Sequence, residues 1–160
     1  MSKKGHRPQT AIAITVLNRQ RAMRVPLIAL REFAARAVQE CLKITGSRRS
    51  DLARITEVNV VLISDRRMAE LHRRFFNLCG PTDVITFQHG EIFISVETAR
   101  RHARRFGSSV AEEVCLYIAH GLLHLHGFDD KNPIAAAKME RAQKNLVRAV
   151  GWGVDARPPG

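Results

Sequence analysis

The stretch from Ser109 to Gly127 constrains the fold of this chain more than any other part of the sequence. Ser109 and Glu112 form a capping-box pattern, which predicts the start of a helix. The residues that follow are almost all apolar as far as Leu125, and Gly127 predicts where the helix ends. A helix that is apolar on nearly every side is stable only when other elements surround it. We therefore expect this helix to lie at the centre of the fold.

The rest of the chain alternates between strand and helix patterns. β-branched runs predict about four strands, and apolar residues at helical spacing predict about five helices. The predicted strands cover residues 11–17, 55–63, 84–88 and 91–95, and the predicted helices cover residues 26–43, 65–75, 96–106, 109–125 and 133–151. A few strands with several helices indicate an α+β fold, a mixed α/β sandwich. The length of 160 residues suits one domain over 1–160, with flexible ends expected at 1–9 and 153–160.

The net charge of the chain is strongly positive and unevenly distributed. The formal net charge is +11, and the first fifty residues hold 11 basic and 2 acidic side chains. This imbalance predicts a polyanionic partner, with RNA or DNA first and an anionic membrane surface second. The ordinary alternative is a basic protein whose arginines are only solvated. Aromatic residues make up 6% of the chain and none lies in an RNA-recognition pattern, so base stacking is not an expected mode of recognition.

The sequence also indicates the cellular compartment in which the protein is expected. No apolar run approaches the roughly 20 residues that span a bilayer, which argues against an integral membrane protein. The apolar run at 11–17 follows basic residues, as in a signal peptide, but no A-x-A cleavage site appears. Cys41, Cys79 and Cys115 are odd in number and widely spaced, which disfavours a disulfide framework. We expect a cytoplasmic protein that makes no use of a membrane.

The central helix carries the residues with the clearest chemistry. His120 and His124 are four residues apart, so their imidazoles stand one turn apart on one face and can grip one metal ion. A bend at Gly127 can bring Asp129 or Asp130 to the same ion. Two imidazoles and a carboxylate leave a position for water, which is typical of a catalytic site. A bare H-x-x-x-H pattern often arises by chance, but histidines in so apolar a helix need partners.

Two neighbours of this pair have other interpretations. His126 lies two residues from His124 and therefore points to another face, so we expect it to be exposed or to support the ligands from outside. Gly121 occupies the position of the catalytic glutamate in the zinc-protease signature H-E-x-x-H. A metallopeptidase is therefore poorly supported.

Three segments, in order, resemble the signatures of the YbeY family. Along the chain, Pro81–Phe87 resembles P-T-D-V-L-S-F, Gly90–Ser95 is similar to G-D-I-x-I-S, and His120–Asp130 resembles H-G-x-L-H-L-x-G-[YF]-D-H. The resemblance covers roughly residues 55 to 130. It implies a single-domain, zinc-dependent endoribonuclease of ribosomal RNA maturation, with one Zn²⁺ per chain and no organic cofactor.

The chain departs from the family pattern at two positions. The third histidine ligand of the family falls on Asp130, so the resemblance implies a site of His120, His124 and Asp130. Aspartate is a harder ligand than histidine, which can shift the metal preference. An arginine of the family that is implicated in activity falls on Phe76. Arg73 is the candidate to supply its positive charge, with Arg74 beside it; the ordinary alternative is a solvated helix face.

Further candidates are polar or basic. Asp83 and Glu91 can each support a ligand histidine or simply stabilise a turn. Phosphate-binding candidates are the arginines of two predicted helices: Arg73, Arg74, Arg100, Arg101, Arg104 and Arg105. The N-terminal part extends this basic surface with Arg19, Arg21, Arg24, Arg48 and Arg49.

Two hypotheses of function remain. The first is a zinc-dependent endoribonuclease specific for single strands, which acts in 16S ribosomal RNA 3′-end maturation and ribosome quality control, with His120, His124 and Arg73 as catalytic residues. The second is a non-catalytic, RNA-binding ribosome-assembly factor with a structural or degenerate metal site. Both predict ribosomal RNA or the ribosome as partner, and no general base can be identified.

Overall fold

A computed structural model describes residues 11–45 and 50–152 of the chain. The elements of this part are β1 Ala13–Asn18, α1 Leu27–Leu42, β2 Glu57–Ile63, α2 Asp65–Phe76, β3 Val84–Phe87, β4 Glu91–Ser95, α3 Val96–Phe106, α4 Val110–Leu125 and α5 Pro133–Val150. The α+β prediction is confirmed, and every bound lies within two residues of the predicted one. The expected flexible ends, 1–9 and 153–160, lie outside the described residues, as do Arg48 and Arg49.

The four strands form one mixed sheet in the order β1-β2-β4-β3. β1, β2 and β4 are parallel, and β3 runs antiparallel to β4 in the predicted hairpin. Gly90 in the hairpin turn has a φ of 111°, and a Cβ there would lie 2.6 Å from the carbonyl oxygen of Glu57. A glycine is therefore required where the hairpin reaches β2.

Helix α4 is the central helix that its sequence predicts. It packs on β3 and β4, and α1, α3 and α5 each contact it. The large apolar core lies between α4 and the sheet, where Val60 and Leu62 of β2 and Ile92 of β4 are fully buried. Gly121 lets α4 come close to the sheet, because a Cβ there would lie 2.8 Å from two side-chain carbons of Ile92. This packing fixes the height of the histidine pair above the sheet.

Helix α2 covers the opposite face of the sheet. Met68 and Leu71 form a second, smaller core with Ile63 and Ile85. The helix begins after Ser64, whose side chain accepts a hydrogen bond from Arg67 N, and it ends at Asn77 in the left-handed conformation, with φ 52°. None of the helices within 11–45 and 50–152 is long and apolar enough to cross a membrane.

Candidate metal centre

Helix α4 places the two histidine rings at the edge of the core. The predicted capping box is present, with Ser109 and Glu112 each bonded to the backbone amide of the other. His120 and His124 lie in the last two turns of α4, and their side chains are about a quarter exposed. Their Nε2 atoms lie 3.0 Å apart. The two ring nitrogens therefore converge on one point at the surface of the helix.

The outer ring nitrogens are held by acceptors. Nδ1 of His124 donates to the carbonyl oxygen of Phe128 at 3.1 Å, and Nδ1 of His120 donates to Oε1 of Gln143 at 2.9 Å. Each neutral ring then carries its proton on Nδ1 and a lone pair on Nε2. Two lone pairs that face each other at this distance repel unless they share a cation. The arrangement thus fits a metal ion between the rings.

The turn after α4 brings the third donor. Gly127 has a φ of 98°, and Phe128 N donates to the carbonyl oxygen of Leu123, as in a Schellman motif. The chain reverses there, and Oδ2 of Asp130 lies 3.8 Å from the Nε2 atom of each histidine. The three donor atoms all lie within 4.8 Å of one another. Asp129, the other carboxylate that the sequence leaves open, instead accepts from Lys131 N at 3.1 Å.

The surroundings of His124 favour its neutral ring. Burial lowers the pKa of His124, and the neighbouring His120 lowers it further, against the opposing effect of Asp130. A neutral imidazole is the form that binds a metal, so a proton does not compete strongly at neutral pH. Asp130 is 52% exposed, which leaves the donor set open to solvent on one side. Two imidazoles, one carboxylate and an open position are the composition of catalytic zinc sites.

His126 is not part of this site, and the expectation that it is exposed is wrong. The residue is only 7% exposed. Nδ1 bonds with Oγ of Ser50, and Nε2 donates to the carbonyl oxygen of Ile44, each at 2.7 Å. The ring therefore joins the end of α4 to the segment after α1.

Asp83 and Glu91 are held by local contacts. Oδ1 of Asp83 accepts from Val84 N at 2.8 Å and from the hydroxyl of Thr82 at 3.3 Å, which is the turn-stabilising role. Glu91 pairs with His89 at 3.0 Å. Neither contact involves His120 or His124.

A small cavity of about 230 Å³ opens beside His124. Helix α2 and strand β3 provide most of its walls, which are formed by His72, Phe76, Thr82, Val84, Ile85, Thr86, Gln88 and His124. Arg73 lines a different cavity, of about 710 Å³, together with Arg66 and Cys79. Phe76, rather than Arg73, therefore lies near the candidate metal centre, and a catalytic role of Arg73 stays a prediction.

The predicted phosphate-binding arginines differ in their surroundings. Arg73, Arg74, Arg104 and Arg105 are exposed, and Arg100 is half-buried. Arg101 is exposed too but forms an ion pair with Asp65 of α2 and donates to the hydroxyl of Thr98. In the N-terminal part, Arg19, Arg21 and Arg24 are exposed. RNA binding by these side chains stays a prediction.

Two contributors to the site are absent from the sequence-based prediction. Gln143 lies on α5, 23 residues beyond the histidine that it orients, and no local pattern connects the two. The carbonyl oxygen of Phe128 is a backbone atom, so only the predicted bend at Gly127 indicates where it lies.

The buried Oγ1 of Thr86, in the wall of the small cavity, has no hydrogen-bond partner among the described residues.

The fold and the site together define a small α+β protein whose central helix presents a solvent-accessible His, His and carboxylate site. The profile of the Endoribonuclease YbeY family matches residues 15–151. The chain belongs to this family, which confirms the resemblance in the sequence.

Individual relatives match over different lengths. Endoribonuclease YbeY of Anaeromyxobacter sp. (strain Fw109-5) is 37% identical over 105 residues, which cover 59% of this chain and 55% of that protein. Endoribonuclease YbeY of Syntrophus aciditrophicus (strain SB) is 29% identical over 151 residues, which cover 85% of this chain and 88% of that protein. The first match thus spans about half the length of the relative, and the second spans most of it.

A solved structure shares the fold. The solution structure of TM1509 from Thermotoga maritima aligns with a TM-score of 0.59 at 28% sequence identity. The alignment covers 86% of this chain and 88% of the other.

Proposed function

We propose that this chain is a metal-dependent endoribonuclease that cuts single-stranded RNA, with zinc as its metal. The observation that carries the proposal is the convergence of His120, His124 and Asp130, whose donor atoms lie within 4.8 Å of one another. Membership of a family named for endoribonuclease activity supports RNA as the substrate. We further propose that it works in the cytoplasm on ribosomal RNA, in 16S 3′-end maturation and ribosome quality control.

The residues of the site have separate roles in this reaction. His120, His124 and Asp130 would hold the ion, while Gln143 and the carbonyl of Phe128 fix the two rings in the tautomer that binds it. When bound, Zn²⁺ supplies a Lewis acid that polarises a phosphate oxygen and lowers the pKa of a bound water to about 7. Hydrolysis of RNA adds one water across a P–O bond, and the departing oxygen takes up a proton. The exposed arginines of α2 and α3 would hold neighbouring phosphates.

One observation favours the non-catalytic alternative. Among the residues that the structure describes, those that line the cavity beside His124 include no lysine or arginine, whereas phosphate-cleaving sites place positive charge near the reacting group. An assembly factor that binds RNA through its surface and keeps a metal for stability has no need of such a charge. The two functions differ in whether RNA is cut.

A cleavage assay on a ribosomal RNA 3′-end fragment distinguishes them. We expect the zinc-loaded protein to cut the fragment, a chelator to stop cleavage and added zinc to restore it. His124→Ala should abolish cleavage, and Asp129→Ala, which changes the neighbouring carboxylate, should retain it. Metal-bound protein that binds the fragment without cutting it supports the assembly factor. Undiminished cleavage by metal-free protein contradicts the proposed chemistry.

A further inference from the structure

Three aromatic rings from separate segments form a row of neighbours, and one end of this row reaches the cavity beside His124. Phe76 ends α2, Phe87 ends β3 and His89 lies in the hairpin turn. The centroids of Phe76 and Phe87 are 6.3 Å apart with ring planes at 26°, and those of Phe87 and His89 are 5.8 Å apart at 22°. Each outer ring is therefore tilted by less than 30° from the plane of Phe87, although no sequence motif groups the three residues.

The central ring of this row is fixed in place. Phe75 and Phe93 pack edge-on against Phe87, with centroid distances of 5.1 and 5.9 Å. Phe87 is partly buried and also packs against the smaller core between α2 and the sheet. Because Phe87 is held in place, the rings of Phe76 and His89 that pack on it keep one orientation. Their side chains therefore lose little conformational freedom when a ligand binds.

Phe76 is the ring that reaches the cavity. It is 48% exposed, although burial of a phenylalanine side chain stabilises a fold by roughly 1.5–3 kcal/mol. It lines the cavity together with His124 and with Thr86, whose Oγ1 has no hydrogen-bond partner among the described residues. One small space thus combines an aromatic surface and a candidate metal ligand.

We propose that Phe76 is a base-stacking residue, on which one unpaired nucleobase of the RNA stacks while the adjacent phosphate lies at the metal centre. This inference rests on the proposed function and names the feature of the substrate that the site selects. A nucleobase is planar and stacks on aromatic side chains in most single-strand binding sites. A base within a duplex has no free face, so this contact selects single strands.

The surroundings of Phe76 favour RNA over a protein partner. Arg73 and Arg74 are exposed in the same last turn of α2, so this end of the helix is positively charged. Phosphates on either side of a stacked base match that charge. The cavity of about 230 Å³ is also below the roughly 300–1,000 Å³ of typical small-molecule sites, so it suits a single base.

Helix α3 offers a matched control. Phe106 is its last residue and is 66% exposed, and Arg104 and Arg105 lie in the last turn of α3, as Arg73 and Arg74 lie in the last turn of α2. Phe106 does not line the cavity beside His124. Substitutions at the two positions therefore each change an exposed phenylalanine at the end of an arginine-bearing helix, and only Phe76 lines the cavity beside His124.

Binding of a single-stranded 2′-O-methyl RNA tests the proposal without cleavage. We expect Phe76→Ala to weaken binding about 5- to 100-fold and Phe106→Ala to leave it unchanged. Phe76→Trp should retain affinity, and its fluorescence should fall when RNA binds, whereas that of Phe106→Trp should not. In a series of RNAs, each with one base removed at a different position, removal at one position should weaken binding to the wild type. Removal of the same base should cause no further loss of affinity in Phe76→Ala.

The outcomes separate this inference from the function on which it rests. If the wild type binds and cuts RNA but Phe76→Ala behaves like Phe106→Ala, stacking is wrong and the endoribonuclease proposal stands. Equal losses of affinity for duplex and single-stranded RNA in Phe76→Ala also overturn stacking. A wild-type protein that binds no RNA overturns both.

Discussion

Each histidine of the candidate centre is oriented by a partner outside the ligand set. Because Gln143 accepts from Nδ1 of His120, the proton stays away from the Nε2 atom that faces His124. Without this acceptor the ring can rotate or change tautomer, and the pair no longer presents two lone pairs to one ion. The outer hydrogen bond therefore increases the affinity for the metal, because it orients the imidazole ring.

Replacement of the glutamine tests this role. We expect Gln143→Leu to weaken zinc affinity about 10- to 100-fold, as for other outer partners of metal ligands. Competition with a chromophoric chelator measures the change, and Gln143→Glu, which keeps an acceptor at that place, should retain affinity. Zinc affinity that is the same in Gln143→Leu and in the wild type would show that the glutamine does not orient the ring.

His126 shows how a third histidine in the same segment serves stability instead. Both of its ring nitrogens are used by Ser50 and by the carbonyl of Ile44, and the side chain is buried. We expect His126→Phe to lower the free energy of unfolding by about 2–4 kcal/mol, because buried polar atoms lose their partners. Urea unfolding measures this loss, and zinc content should not change. A variant that loses its zinc but not its stability would place His126 among the ligands.

The role of a residue can be predicted from the sequence when it depends only on neighbouring residues. The spacing of His120 and His124 is a property of one helix, so the sequence predicts that they converge. The choice between Asp129 and Asp130 depends on the backbone after Gly127, and spacing alone leaves it open. The burial of His126 depends on a segment more than 70 residues earlier in the chain.

At the level of elements, α2 and α3 are joined by a polar cluster at the carboxylate of Asp65. Its oxygens accept from Arg101, Ser95 and Thr98, three donors from the end of β4 and from α3. Burial by itself would raise the pKa of Asp65, but the hydrogen bonds from Arg101, Ser95 and Thr98 outweigh it, so the pKa is lowered. This contact also explains why Arg101, a predicted phosphate ligand, is already paired.

The lowered pKa gives a pH dependence with a definite sign. A carboxylate whose pKa is lower in the folded than in the unfolded protein stabilises the fold above its unfolded value of 3.8, and this stabilisation is lost as the pH falls through the folded pKa. We expect Asp65→Asn to lower the free energy of unfolding by about 1–2 kcal/mol near pH 7 and by less below about pH 4. Urea unfolding at both pH values measures it. A difference that grows on acidification would contradict the assigned contacts.

Elements were predictable where the signal is local. The bounds of β4 and α3 match the prediction, because a run of β-branched residues and a serine cap mark them within a few residues. Strand β2 begins at Glu57 rather than at residue 55, because Ile55 N bonds with the carbonyl of Asp51 in a turn. The aromatic row was not predictable, since its rings come from α2, β3 and the hairpin.

For the whole molecule, the excess of positive charge predicts how RNA binding responds to salt. Arg104 and Arg105 are exposed in the last turn of α3, whereas Arg101 is paired with Asp65. If each free arginine neutralises one phosphate, Arg104→Ala and Arg105→Ala should each reduce the slope of log K against log salt by about 0.7 for single strands.

Arg101→Ala serves as the comparison in this experiment, because the loss of a paired arginine should change the slope less. Titrations with one RNA at several salt concentrations, by fluorescence anisotropy, measure the slopes. Equal slopes for the wild type and all three variants would show that α3 does not face the RNA.

Every functional step depends on one ion shared by His120, His124 and Asp130. The zinc content of purified protein, measured by mass spectrometry of the metal, tests this most directly. We expect about one zinc per chain in the wild type and in Asp129→Ala, and a large loss in His124→Ala and in Asp130→Ala. A full equivalent of zinc that survives in both His124→Ala and Asp130→Ala would contradict the shared site.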